Sequence, residues 1–223
     1  MNNEVSIFFC SSNRENQEFE SKIRENILKN CGDIPIISVT QKPIDFGKNI
    51  CVGDDIGVSG FNFFKQSQIA LKEAKTKYVI SCEADCLYPQ EYFEFIPPRD
   101  DKCYRLENLF VLRIKRDCFH KKLTGATHAQ IVNREFYLNR LNELFEGEPE
   151  WDPNQKNFPK EKFNKHREDV FTKDEIEYFT LPNPVLQIKT RDSMRFYTAC
   201  HEDKTYNSLP HWGTVKQMRE KYL

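Results

Sequence analysis

Long apolar runs are missing from this chain. No stretch approaches the ~18 consecutive apolar residues of a membrane span. The opening MNNEVSIFFCSSNREN has no basic region followed by a long apolar run. Neither a span nor a signal peptide is expected. An excess of one charge is missing too. Against 34 acidic residues stand 33 basic ones, a net charge of -1, so no global field selects a polyanionic partner and a nucleic-acid partner would need a local basic patch. None of the eight cysteines (Cys10, Cys31, Cys51, Cys82, Cys86, Cys103, Cys118 and Cys200) forms a CxxC pair, and free thiols in a reducing cytoplasm are the expectation. Internal repeats and low-complexity tracts are absent.

What is present suffices for one domain. The 223 residues, 39% of them hydrophobic, can bury a sizeable core. Val5 to Cys10 is a β-branched and aromatic run that ends in Ser11, Ser12 and Asn13, a buried first strand leading into a polar loop. Phe19, Ile23 and Ile27 recur every fourth residue, which predicts an amphipathic helix over 15–30, stopped by Cys31-Gly32-Asp33. Ile34 to Val39 reads as a second strand. This strand–helix–strand opening argues for an α/β fold with a parallel sheet.

Residues 42–60 carry Pro43, Gly47, Gly53, Gly57 and Gly60 and read as a long loop of the kind that often has a function. Further along, the spacing predicts a helix over Phe61–Lys75, a strand over Tyr78–Cys82, a turn over Phe95–Asp101 and a strand over Phe110–Ile114. It then predicts a helix over Asn133–Phe145, a polar mobile segment over 146–168, a short strand over Val185–Ile188 and a terminal helix over Trp212–Tyr222.

Glu83-Ala84-Asp85 follows directly on a buried strand. Side chains at i and i+2 of an extended segment point the same way. Both carboxylates can therefore reach one point at the carboxyl end of the sheet, where open α/β sheets bind ligands. Hard divalent cations prefer such oxygens and share them with substrate phosphates. A solvated strand-end turn is the plainer reading of the same spacing.

The order strand, helix, strand, glycine-rich loop, helix, strand and acid-x-acid resembles the GT-A glycosyltransferases. In particular, QIALKEAKTKYVISCEADCLYPQEYFEFIPPRDD is similar to a family of small GT-A-like proteins of bacteria and phages. The likeness is carried by Ala74, Thr76, Tyr78, Val79, Glu83, Asp85, Leu87-Tyr88-Pro89, Phe93, Phe95 and Pro97-Pro98. It continues upstream in IPIISVTQKPIDFGKNICVG and downstream in Leu209-Pro210-His211-Trp212-Gly213, covers most of the chain and is weakest over 146–180. The departure is at the motif, which is Glu-x-Asp where the family has Asp-x-Asp; the longer arm of Glu83 can reach ribose or a metal-bound water instead.

The resemblance implies a mixed, mostly parallel central sheet flanked by helices in a single domain. Residues 1–100 would bind the nucleotide sugar and residues 101–223 the acceptor. It implies a UDP-sugar donor and Mn²⁺ or Mg²⁺ held by Asp85 and Glu83, with His201 as a further ligand by position. A hydrogen-bonded surface histidine is the alternative for His201. The donor-binding candidates are Ser11, Ser12, Asn13, Gln41, Asp55, Asn62, Gln66 and Glu83; each has a plainer reading as a cap or turn residue.

An inverting enzyme needs a carboxylate to take the acceptor proton. Asp169, with Glu168 beside it, resembles that placement, and Glu148 and Glu150 form a rival pair. Gly125-Ala126-Thr127-His128 offers small residues that would let an acceptor approach, with His128 lining the site or merely packed.

Relatives of this pattern include phage enzymes that glycosylate hydroxymethylated pyrimidines in DNA, in the host cytoplasm. Two basic clusters would serve DNA phosphates. One is Arg113, Lys115, Arg116, Lys121 and Lys122. The other is Lys156, Lys160, Lys162, Lys165 and Arg167, with Phe158 and Phe163 placed to stack on a base. A saccharide or small-molecule acceptor stays open, as does the oligomeric state. Two rivals of another class remain. A nucleotidyltransferase would show a basic, glycine-rich phosphate loop near the first strand, which SSNRENQ is not; a non-catalytic nucleotide-binding domain would keep the fold and transfer nothing.

Overall fold

The computed structural model describes residues 4–123, 125–152, 170–190 and 201–223, with His201 described by its backbone alone. The chain opens on β1 (Val5–Ser11), buried along its whole length. Its alternating side chains enter two different cores: Val5, Ile7 and Phe9 one, Phe8 and Cys10 the other. Both faces of the strand are therefore covered, which explains an apolar run with no polar alternation.

Helix α1 (Gln17–Cys31) begins where the Asn16 side chain accepts from the backbone N–H groups of Glu18 and Phe19, and ends at Gly32 in a left-handed conformation. Phe19, Ile23 and Ile27 are buried against one face of the sheet. β2 (Ile36–Thr40) follows, then β3 (Lys48–Cys51). Helix α2 (Gly60–Glu73), capped by Ser59, leads to β4 (Tyr78–Glu83), β5 (Cys86–Leu87) and the short α3 (Gln90–Glu94).

β6 (Cys103–Leu106), β7 (Leu109–Arg113) and β8 (Phe119–Lys122) come next. A turn of 3-10 helix at Thr127–Ala129 enters β9 (Gln130–Asn133), and α4 (Arg134–Phe145) follows. β10 (Ile176–Phe179), β11 (Val185–Lys189), β12 (His201–Tyr206), the hairpin β13 (Ser208–Leu209) and β14 (Gly213–Thr214), and α5 (Val215–Tyr222) complete the fold.

The central sheet has seven strands in the order β10-β6-β9-β4-β1-β2-β3. Every pairing is parallel except those of β9, which runs against both β4 and β6. Helices α2 and α4 cover one face through Phe61, Leu71, Tyr137 and Leu141; α1 and α5 cover the other through Ile23, Ile27, Met218 and Tyr222. The expected mixed, mostly parallel sheet flanked by helices is thus observed. A second sheet, β12-β8-β7-β11-β5, stands at the carboxyl end of β4. Its strand β11 runs antiparallel to β5, pairing Gln187 with Cys86 immediately after the acidic motif.

Several elements differ from expectation. Residues 42–60 contain β3, an edge strand whose half-exposed side chains give no burial pattern to read. The terminal helix starts at Val215, three residues later than expected, because Trp212 belongs to the hairpin before it, where its indole N–H donates to the Pro184 carbonyl at 2.7 Å. The start of the segment expected to be mobile is anchored: the Asp152 N–H donates to Asn62 Oδ1 at 2.9 Å, and its carbonyl accepts from Ser59 Oγ at 2.7 Å. Residues 153–168 lie outside the described residues. So does Cys200; the seven described cysteines are free thiols. Among the described residues no helix is long and apolar enough to cross a membrane.

Gly47 opens β3 with φ at +61°, and a Cβ there would sit 2.4 Å from the Ile36 carbonyl oxygen. That neighbour is backbone and cannot yield. Gly47→Ala should therefore cost about 2 kcal/mol or more, read as a lowered thermal midpoint; an unchanged midpoint would contradict this packing.

Candidate active site

β4 is the middle strand of the seven, and its carboxyl end delivers the two acids. Glu83 is its last residue, and Ala84-Asp85 form a turn before β5. The pair is thus not fully extended, and its members differ in setting. Glu83 is half-buried, and its carboxylate makes no hydrogen bond among the described residues; Asp85 is buried.

The Asp85 carboxylate is fully engaged. Gln187 Nε2 donates to both its oxygens, at 3.2 Å to Oδ1 and 3.0 Å to Oδ2. Lys189 Nζ reaches Oδ2 at 2.9 Å, and the Cys86 thiol reaches Oδ1 at 3.1 Å. Gln187 and Lys189 are two apart on β11, so both point to one face, while Leu186 and Ile188 fill the core behind. The backbone closes the arrangement, with the Ile188 N–H donating to the Asp85 carbonyl at 2.8 Å. Lys122, at the end of β8, joins through Gln187 Oε1 at 3.4 Å.

The charges respond to this crowding. Burial, then the charge of Asp85, pushes the Glu83 carboxyl above the ordinary carboxylate range, against the pull of Lys189 and Lys122. Burial is the largest influence on Asp85 and opposes its ionisation, but the surrounding charges and hydrogen bonds, led by the ammonium of Lys189, together hold that carboxyl below its ordinary range. For Lys189 burial favours the neutral amine, and Asp85 reverses the sign, raising its pKa.

His128 is buried beside the cluster. Burial, then Lys122, holds its imidazole well below its ordinary range, so it stays neutral at neutral pH. Its Nε2 has no hydrogen-bond partner among the described residues. Tyr88 ties the floor together: its hydroxyl accepts from the Glu83 N–H at 2.9 Å and donates to the His128 carbonyl at 2.7 Å.

Most donor-binding candidates serve the backbone. The Asn62 amide donates to the Ile56 and Gly57 carbonyls, and that of Gln41 to Gly57 as well. Gln66 Nε2 donates to the Ser11 and Val39 carbonyls, and Ser11 Oγ to the carboxylate of Glu20. These side chains clamp the loop 52–59 and the ends of β1 and β2 together, so their amide nitrogens and the Ser11 hydroxyl proton are already committed. Asn13 bridges to the Lys42 N–H at 2.9 Å, Ser12 is half-exposed and Asp55 is exposed.

Gly125 is small for an internal reason. A Cβ there would meet Arg105 Cβ at 2.8 Å and the Tyr178 ring at 2.9 Å, so the protein's own side chains fill the space expected for an acceptor. Lys122, counted among the basic residues facing DNA, points into the acidic site instead, and Lys121 pairs with Glu202 at 3.2 Å. Asp169, Glu168 and the second basic cluster with Phe158 and Phe163 lie outside the described residues, as does the His201 side chain; its backbone pairs with Lys122 on β8. Of the rival acids, Glu150 is exposed and Glu148 half-buried.

The expected cation site meets a specific obstacle. A carboxylate offers about four lone-pair positions, and Asp85 already receives four donor contacts. No group of three or more histidine, cysteine, aspartate or glutamate side chains among the described residues is arranged to hold a metal ion. In this arrangement the described residues do not fit a divalent ion gripped by both acids. The missed residues are Gln187 and Lys189. A glutamine and a lysine on one face of an otherwise apolar strand were the available signal, but the apolar pattern ends at Ile188, one residue short of Lys189.

No family model matches the chain, and no curated protein matches it by sequence. Solved structures do resemble it. S. aureus TarS in complex with UDP-GlcNAc aligns at 11% identity over 87% of this chain and 62% of that one, with a TM-score of 0.50. GlyE of Streptococcus pneumoniae aligns at 7% identity over 78% of this chain and 44% of that one, with a TM-score of 0.48. A glycosyltransferase involved in glycosylation of the PBCV-1 major capsid aligns at 9% over 79% of this chain and 81% of that one, with a TM-score of 0.46. The chain thus spans less than two thirds of the TarS fragment. The TarS likeness is one of fold: this chain shares the α/β architecture of that structure.

Proposed function

We propose that this chain transfers a sugar from a UDP-sugar to a hydroxyl acceptor. One observation carries the reading: a partly buried cluster of two acids and two lysines sits at the carboxyl end of the middle strand of a mostly parallel sheet, where sheets of this kind take their ligands. The fold shared with TarS, whose structure holds UDP-GlcNAc, supports it. Residues 1–100 would then carry the nucleotide and residues 101–223 the acceptor.

In the reaction the bond between the anomeric carbon and the diphosphate breaks as a bond to the acceptor oxygen forms, through an oxocarbenium-like transition state. The acceptor proton passes to a carboxylate, for which Asp169, with Glu168 beside it, is the proposed group. Glu83, the acid whose carboxylate is uncommitted, suits a ribose hydroxyl. Mn²⁺ or Mg²⁺ on Glu83, Asp85 and His201 would supply charge to the leaving diphosphate in a metal-dependent member of the fold; since Asp85 is already saturated, no step is routed through it.

The proposed acceptor is a hydroxymethylated pyrimidine in DNA, on the family likeness and on Arg113, which ends β7, and the exposed Lys115 and Arg116 that follow it. The test is incubation with a panel of UDP-sugars and separate acceptors: hydroxymethylated DNA, plain DNA and saccharides. Free UDP, with a mass gain equal to the donated sugar on hydroxymethylated bases alone, is the expected result. A gain on saccharide would replace the DNA acceptor. Pyrophosphate release from a nucleoside triphosphate, without UDP release, would make the chain a nucleotidyltransferase. No release of either would leave a binding domain and end the transferase reading.

A further inference from the structure

We propose that Lys122 and Lys189 neutralise the donor's diphosphate where a divalent cation would otherwise sit, and that Asp85 is the positioning residue that holds them there. This rests on the nucleotide-sugar reading above and concerns the same site.

The argument starts from lone pairs. A hard cation such as Mg²⁺ needs a carboxylate oxygen at about 2.0–2.1 Å and near-ideal octahedral geometry. Both Asp85 oxygens are taken, Oδ2 by a lysine ammonium at 2.9 Å. To bind there an ion would have to expel that ammonium and then face its charge at close range. Among the described residues Glu83 alone would remain, and a single carboxylate is a poor cage.

A diphosphate meets the opposite situation. Lys189 gives one of its three N–H groups to Asp85, and among the described residues Lys122 makes only a long 3.4 Å contact, with Gln187 Oε1, so both retain donors. An ammonium is a compact phosphate-binding charge. Both side chains are half-buried, where a fixed charge acts more strongly than in water.

Gln187 gives the device its rigidity. Its nitrogen is fixed by Asp85 and its oxygen faces Lys122, so one amide links the two cationic strands to the acid. The neutral His128 Nε2, without a hydrogen-bond partner among the described residues, is a further buried polar atom of this cluster, feeling both Lys122 and Asp85. It is an uncommitted hydrogen-bonding group of the kind a polar ligand satisfies.

The experiment is calorimetric binding of UDP and of uridine to the full chain, after dialysis against EDTA and again with added Mn²⁺, alongside UDP release. The expected result is a UDP affinity that changes less than about twofold between the two conditions. Lys122→Met and Lys189→Met should each weaken UDP at least tenfold while leaving uridine unchanged. Lys189→Met frees Asp85 Oδ2, so its UDP affinity should now rise with Mn²⁺. Lys189→Arg should retain most of the wild-type affinity.

Wild-type binding that vanishes in EDTA and returns with Mn²⁺ would overturn the proposal alone, as would methionine variants that bind UDP like the wild type. Failure to bind uridine, UDP or any other nucleoside diphosphate in either condition would overturn the nucleotide-sugar reading, and this proposal with it. Should the methionine variants not fold, the EDTA comparison on the wild type decides.

Discussion

Asp85→Ala should abolish detectable sugar transfer and lower stability by about 3 kcal/mol. The stability term follows from what the substitution leaves behind. Lys189 loses the carboxylate that holds it at 2.9 Å, and Gln187 loses both acceptors of its amide nitrogen. Stranding one member of a buried ion pair costs about 3–5 kcal/mol. The lower end applies because the Lys189 side chain is 27% exposed.

The catalytic term follows from position. A group misplaced by about 1 Å can cost on the order of 10²-fold in rate, and two ammonium groups lose their anchor at once. pH separates this pair from ordinary packing. The Asp85 carboxyl is held below its ordinary range, so its contribution is complete above the unfolded-chain aspartate value and is lost as pH falls through the depressed folded one. The gap in thermal midpoint between wild type and variant should therefore be widest at neutral pH and close toward strong acid. A double variant, Asp85→Ala with Lys189→Ala, should be more stable than Asp85→Ala alone, because the stranded charge has gone. A gap independent of pH, or a double variant with the two losses summed, would contradict the ion pair.

How far the sequence disclosed this site depended on the range of each contact. The pattern within β1, β2, β4, α1 and α2 is local, so continuous apolar runs reported the strands, which are covered on both faces, and helical spacing reported the helices. β3 escaped because an edge strand with exposed side chains carries no such pattern. The second sheet escaped for another reason. β5 is two residues long and exists only through β11, about a hundred residues away in the chain.

The acids were legible as an acid-x-acid at a strand exit. Their partners were not, because Lys189 reaches Asp85 across 104 residues and nothing near either residue announces the other. The sequence offers the polar residues near the first strands as donor ligands or as caps and turns. Yet a side chain that clamps backbone and one that greets a ligand have the same composition, and only the bonds of Asn62, Gln66 and Gln41 tell them apart.

Tyr88→Phe, which deletes a single oxygen, should be the most damaging conservative change in the fold. Tyr88 is fully buried and stacks on Tyr92 with ring centroids 5.0 Å apart. The ring would survive the change, so the hydrophobic contribution is untouched. What goes is the hydroxyl that accepts from the Glu83 N–H and donates to the His128 carbonyl. Each buried group left unmet costs about 1–3 kcal/mol, and two are left, which predicts a loss of about 2–6 kcal/mol.

Tyr92→Phe is the matched control. Tyr92 is as buried, and its hydroxyl lies 2.9 Å from the Ser81 carbonyl and 3.2 Å from that of Gln130. A phenol has one proton, so Tyr92 fully serves only one of them. Ser81 lies inside β4 and Gln130 opens β9, and neither belongs to the charged cluster, so the expected cost is about 1 kcal/mol with little effect on transfer. Tyr88 differs because its two partners are the last backbone N–H of β4 and the residue that carries the neutral imidazole, the two sides of the charged cluster. Its variant should lose transfer activity by at least tenfold at temperatures where it remains folded. Denaturant melts and initial rates on the two variants side by side test this; equal losses of activity from both would mean that Tyr88 supports the core and does not frame the site.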